Sequence, residues 1–147
     1  MKVFLDTNVL ASAAATRGLC ADVVRQVLAS HQLFISDQVL NELVNVLRFK
    51  FGAAQDLIDD FIWLLQQDSI HALPSQLPKV RLQGKDDLPI LGAAIASGAE
   101  VLVTGDKELL ELGDIEGLEI LSPRQFWEKL KAQQQRQTGR GKPRIPR

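Results

Sequence analysis

The chain has 147 residues, 46% of them hydrophobic, which suffices for one domain with a core of two or three layers. Its one cysteine, Cys20, excludes an internal disulfide framework, and with no CxxC or Cys/His spacing around it a structural zinc site is excluded too. The formal net charge of −1 hides a division: from Arg124 onward the chain carries eight Lys/Arg (Arg124, Lys129, Lys131, Arg136, Arg140, Lys142, Arg144, Arg147) against the single acid Glu128, so the remainder is acidic.

Lys2 to Leu5 is a short apolar run that stops at the polar triplet Asp6-Thr7-Asn8, as a buried strand does on entering a loop. The charge at Asp6 comes too early for the apolar core of a signal peptide, and no apolar run approaches membrane-spanning length, so a reducing, cytoplasmic setting without membrane contact is expected. Val23, Val24, Val27 and Leu28 have helical spacing within 19–28, and Leu33 to Ile35 is the next strand. Ser36 or Asp37 caps a helix with Val39, Leu40, Leu43, Val44 and Leu47 inward and an exit at Phe51-Gly52. The stretch 55–65 places Leu57, Ile58, Phe61, Ile62 and Leu65 on one helical face and Asp56, Asp59 and Asp60 on the other.

Residues 68–84, with Pro74 and Pro78, read as an irregular connection holding one short strand near Ile70. Asp86-Asp87 then opens a helix through Ile90, Leu91, Ala94 and Ile95, with carboxylates at the positive end of its macrodipole. A strand at 100–104, the Gly105-Asp106 turn, a short helix at 107–112 and a last strand at 118–121 follow, and Ser122-Pro123 caps a closing helix through Leu130. Strands alternating with helices predict an α/β fold, a three-layer α/β/α sandwich around a central, mainly parallel sheet spanning residues 1–132. Residues 133–147 lack apolar periodicity and read as a flexible basic tail, whose Arg136, Arg140, Lys142, Arg144 and Arg147 either neutralise phosphates of a nucleic acid or serve only as a solubilising tail.

Parallel sheets place their sites beyond the carboxyl ends of the strands. Asp6 follows the first strand, Asp106 lies two residues past Thr104, Asp87 opens a helix, and Glu42 sits at the edge of the inward stripe of its own helix. Taken singly, each acid has a plain structural use as a turn, cap or helix-start residue. Taken together, four carboxylates in one crevice without a nearby Lys or Arg call for cations, and hard oxygen ligands select one or two Mg²⁺ or Mn²⁺ ions suited to in-line phosphoryl displacement.

The order of these motifs resembles one family. Phe4-Leu5-Asp6-Thr7-Asn8-Val9-Leu10, then Ile35-Ser36-Asp37-Gln38-Val39-Leu40-Asn41-Glu42-Leu43, then Lys85 to Ala94 and Val101 to Leu110 are similar to the four motifs of PIN domains, over about residues 2–125. The likeness is greatest to the toxins of toxin–antitoxin systems, the VapC-like endoribonucleases. It implies an RNA substrate, an antitoxin partner, a homodimer, and Asp6, Glu42, Asp87 and Asp106 as metal ligands. By the same resemblance Asn8 and Thr104 are polar supports, Ser36 caps the Glu42 helix, and Asp86 is able to share the role of Asp87. Glu108 stands where many relatives carry Asp, and the basic tail lies outside the family pattern.

Other readings fare worse. A haloacid-dehalogenase-type phosphatase needs an acid two residues after Asp6, where this chain has Asn8, and a phospho-acceptor receiver needs a second acid beside the first strand. A housekeeping RNA-processing nuclease and a non-catalytic RNA-binding module remain as alternatives, the latter separated from an enzyme by one metal-dependent cleavage assay.

Overall fold

A computed structural model describes residues 1–73, 78, 80, 82 and 87–141, with side chains described as far as Arg136. Among these residues, six strands form one sheet: β1 (Lys2–Leu5), β2 (Gln32–Ile35), β3 (Ser69–His71), β4 (Val101–Val103), β5 (Asp114–Ile115) and β6 (Leu118–Leu121), in the order β3-β2-β1-β4-β6-β5. Every pairing is parallel except β5 with β6. β1, β2 and β4 are almost wholly apolar, as strands covered on both faces have to be; Val3, Phe4, Leu33, Val101, Leu102 and Val103 are all buried.

Among the described residues, seven helices pack around the sheet: α1 (Thr7–Ala15), α2 (Leu19–Ser30), α3 (Asp37–Asn45), α4 (Gln55–Gln67), α5 (Asp87–Ala96), α6 (Lys107–Leu112) and α7 (Pro123–Gly141). From β1 the chain steps outward through β2 to β3, then returns past β1 to β4 and β6. Right-handed crossovers therefore put α1 to α4 on one face and α5 and α6 on the other. α7 packs against α2, which places it with the first group. This is the three-layer α/β/α arrangement expected from the sequence.

Several local features differ from that expectation. The polar triplet after β1 is not a loop: Asp6 is the N-cap of α1, and Val9, Leu10 and Ala11 carry that helix into the core. α3 runs on through a π-turn, Val46–Lys50, before the exit at Phe51-Gly52. On α4, Ile58 and Leu65 are buried but Leu57 is exposed. β5 was not anticipated; Glu116 and Gly117, with φ of 47° and 85°, form the two-residue turn that folds it back on β6. α7 does not end at Leu130 but continues to Gly141, so residues 133–141 of the expected tail are helical. Its start is as read: Ser122 Oγ accepts from Gln125 N–H at 3.1 Å, and Gln125 Oε1 accepts from Ser122 N–H at 3.0 Å, with Pro123 at the first helical position. No helix among the described residues is long and apolar enough to cross a membrane.

Candidate active site

The chain leaves β1 toward β2 on one side, while β4 and β6 continue the sheet on the other, so the strand order switches direction between β1 and β4. A crevice opens at such a point beyond the carboxyl ends of both strands. The backbone closes it tightly: Asp6 N–H donates to Val103 C=O at 3.0 Å, and Thr104 N–H to Leu121 C=O at 2.9 Å. Asp6 enters from β1, Thr104 and Asp106 from β4.

Asp6 is buried, and its carboxylate is held at both oxygens: Oδ1 accepts from Thr7 N–H at 2.8 Å and Oδ2 from Thr104 Oγ1 at 2.7 Å. Burial raises its pKa above the ordinary value, the two hydrogen bonds oppose that rise, and the charges of Glu42 and Asp106 add to it. Thr104 is completely buried, and its Oγ1 also accepts from Asp106 N–H at 3.0 Å, so one hydroxyl sets the spacing between two acids. Asp106 caps α6, its Oδ1 accepting from Glu108 N–H at 2.8 Å and Leu109 N–H at 3.3 Å.

Asp87 begins α5 on the opposite face of the sheet and faces the same crevice. Its pKa is pushed up to about 6, first by burial and then by the charges of Asp106, Asp6 and Glu108; in its protonated form it is hydrogen-bonded to Asp106. Glu42 lies on α3, whose N-terminus is capped by Ser36 Oγ accepting from Val39 N–H at 3.2 Å. Both Glu42 oxygens are engaged by neutral donors, Thr7 Oγ1 at 3.0 Å and Gln38 Nε2 at 3.0 Å.

The structure thus brings Asp6, Asp87 and Asp106 within electrostatic reach of one another and connects Glu42 to Asp6 through Thr7. Asn8 is exposed on the first turn of α1 and bonds to none of these acids among the described residues. Asp86, Lys142, Arg144 and Arg147 lie outside the described residues; Arg136 is exposed on α7, and Arg140 falls in its last turn. Sequence reading gave no role to Thr7 or Gln38. Thr7 adjoins Asp6, and Gln38 stands one helical turn before Glu42, so the i, i+4 spacing carried the signal for the second.

In kind, the donors fit a hard divalent cation: oxygen only, carboxylate-rich, and close enough that the charges of Asp106, Asp6 and Glu108 add to burial in raising the pKa of Asp87. Among the described residues no ion pair neutralises Asp6, Glu42, Asp87 or Asp106. Nor, among those residues, are three acids, histidines or cysteines already gathered as a finished cage. Asp6, Glu42 and Asp106 are each secured by neutral donors.

An α/β fold with acids at the topological switch point defines the class of protein, and the family pattern of the PIN domain matches residues 2–108. The chain belongs to the PIN domain family. Its fold is also similar to that of VapBC2 from Rickettsia felis, solved bound to a DNA fragment from their promoter (20% identity, TM-score 0.61, covering 83% of this chain and 98% of that one). VapBC-1 from nontypeable Haemophilus influenzae gives 23% identity and a TM-score of 0.59 over 84% and 99% of the two chains. VapC20 of Mycobacterium tuberculosis, a Sarcin-Ricin loop cleaving toxin, gives 16% identity and a TM-score of 0.56 over 78% and 97%. No curated protein matches the chain in sequence.

Proposed function

We propose that this protein is a divalent-metal-dependent endoribonuclease and the toxin of a toxin–antitoxin pair, acting in the cytoplasm. One observation carries the enzymatic part: at the switch point of a parallel sheet, burial and then the charges of Asp106, Asp6 and Glu108 push the pKa of Asp87 up to about 6. Such crowding has a function where a cation and a phosphodiester are to be held, and little structural use otherwise. Asp6, Asp87 and Asp106, with Glu42 at the rim, would hold one or two Mg²⁺ or Mn²⁺ ions. A bound ion supplies Lewis-acid polarisation of the phosphodiester and makes its water more acidic.

The chain's own residues do the positioning. Thr104 aims Asp6 and fixes the backbone of Asp106, the first N–H groups of α6 hold Asp106 Oδ1, and Thr7 with Gln38 fixes Glu42. All these donors are neutral, so the negative charge of the pocket stays available to a ligand.

The toxin part rests on the likeness in fold to VapBC assemblies, which supports an antitoxin partner. Exposed Phe49 and Trp63, at 78% and 62%, offer apolar surface for such a partner or for a second copy of the chain. Light scattering on the isolated chain tests the homodimer. The central experiment is cleavage of single-stranded RNA in Mn²⁺ and in EDTA by the native chain, Asp6→Asn and Asp87→Asn. Cleavage should require metal and vanish in both variants while their circular dichroism stays unchanged. Full activity in both variants would remove the assignment.

A further inference from the structure

α2 and α7 enclose a half-open cavity of about 130 Å³, lined by Gln26 from α2 and by Trp127, Leu130, Lys131 and Gln134 from α7. None of these residues belongs to the acidic crevice. Leu130 is buried beneath the cavity, Trp127 is half-buried, and Lys131 is exposed with its Nζ 5.2 Å from the centroid of the Trp127 ring. The volume is of the order at which a cavity accepts one aromatic ring, and well below that of a site for a whole cofactor.

Charge narrows the occupant. The segment from Arg124 onward has eight cations and one acid. Lys129 is engaged with Glu119 at 2.8 Å, whereas Lys131 has no carboxylate partner among the described residues. Arg124, Trp127, Lys131 and Gln134 fall within one stripe of α7, about 15 Å long at 1.5 Å per residue. That stripe begins where β6 ends, at the sheet edge where Thr104 N–H bonds to Leu121 C=O, beside the acids. A ring-sized slot set in a cationic stripe suits a polyanion with planar bases.

We propose that this groove is a binding site for single-stranded RNA, seating one unpaired nucleobase against Trp127. This rests on the reading of the protein as a ribonuclease. The ring supplies the stacking face, the amides of Gln26 and Gln134 meet the base edge, and Lys131 and Arg124 meet the flanking phosphates. Strand thus bound along α7 is led toward the acidic crevice.

The test uses the full chain carrying Trp63→Phe, which leaves Trp127 as the one tryptophan, titrated in EDTA with a mixed-sequence 12-nucleotide RNA. Binding should quench Trp127 emission. Trp127→Leu should weaken binding at least about fivefold. Lys131→Gln, at an exposed position that does not endanger folding, should make the dependence of log affinity on log salt shallower by about 0.7. RNA binding that leaves Trp127 emission and the Lys131→Gln salt slope unchanged overturns the proposal, even where the native chain cleaves RNA in Mn²⁺. Quenching without any metal-dependent cleavage upholds the groove and overturns the nuclease; absence of both overturns both.

Discussion

Asp87→Asn is the substitution that most directly separates a functional pocket from a helix start. Raising a carboxyl from 3.8 to about 6 corresponds to at most about 3 kcal/mol against the folded state once the group is ionised. Asp87 is partly in water, and screening reduces this to about 1 kcal/mol. The sign follows from linkage: the native state holds the Asp87 proton more tightly than the unfolded chain, so the penalty is absent below about pH 4, grows with pH, and is complete above about pH 6. Asparagine keeps the shape, carries no charge, and is able to donate to Asp106 as the protonated acid does. It loses the favourable interaction of a carboxylate with the N-terminus of α5, roughly 0.3 to 1 kcal/mol, which offsets part of the gain. In EDTA at pH 7.5 the variant should therefore melt higher than the native chain by up to about 2 °C, with the curves converging near pH 4. Added Mn²⁺ reverses the order: at a hundred times its dissociation constant it stabilises the native chain by about 2.7 kcal/mol and the variant by less. Calorimetry over pH 4 to 8, with and without metal, reads both effects. A variant less stable throughout, with the full metal response, would show that Asp87 serves only to start α5.

Thr104→Val keeps the volume of a fully buried side chain but removes the bonds to Asp6 Oδ2 and Asp106 N–H; urea unfolding should show a loss of about 1 to 3 kcal/mol, and RNA cleavage should fall with it. Ser36→Ala removes the cap on α3 and should cost about 1 kcal/mol in the same assay. Truncation after Ala132 removes the second half of α7 and everything beyond it; filter binding should show weaker RNA affinity with a shallower salt dependence, and an unchanged slope would mean that this segment makes no phosphate contacts.

The sheet and most helices were legible because their signals are local. Val3, Phe4 and Leu5, or Val101 to Val103, are apolar runs of strand length, and Val39, Leu40, Leu43 and Leu47 repeat at helical spacing. The failures share a cause: burial pattern was used where intrinsic preference decides. α1 is rich in alanine, the best helix former, and begins at an Asp cap, but its polar start read as a loop. The extension of α7 is mostly Gln, Arg, Lys and Ala, good helix formers that leave no apolar stripe to detect, with Thr138, Gly139 and Gly141 near its end. β5 is two residues long, set by the Glu116-Gly117 turn rather than by any periodicity.

Of the candidate site, the placement of the acids was legible and the hydrogen bonds between them were not. Asp6, Asp87 and Asp106 follow from where a parallel sheet ends its strands, a rule that requires no side-chain geometry. That Thr104 is shared between Asp6 and Asp106, or that Thr7 links Asp6 to Glu42, depends on angstrom-scale placement across 98 and 35 residues of sequence. The wiring also bears on the charge division of the chain. A pocket of carboxylates secured by neutral donors repels a polyanion, so on the proposed function the attraction has to come from elsewhere in the molecule. The basic residues from Arg124 onward supply it at the far end of the sequence, on a helix that begins at the same sheet edge as the acids. On that function, near-zero net charge with the two signs kept apart would let one small domain hold cations in its crevice and RNA along its flank; with the charges mixed, each would cancel the other.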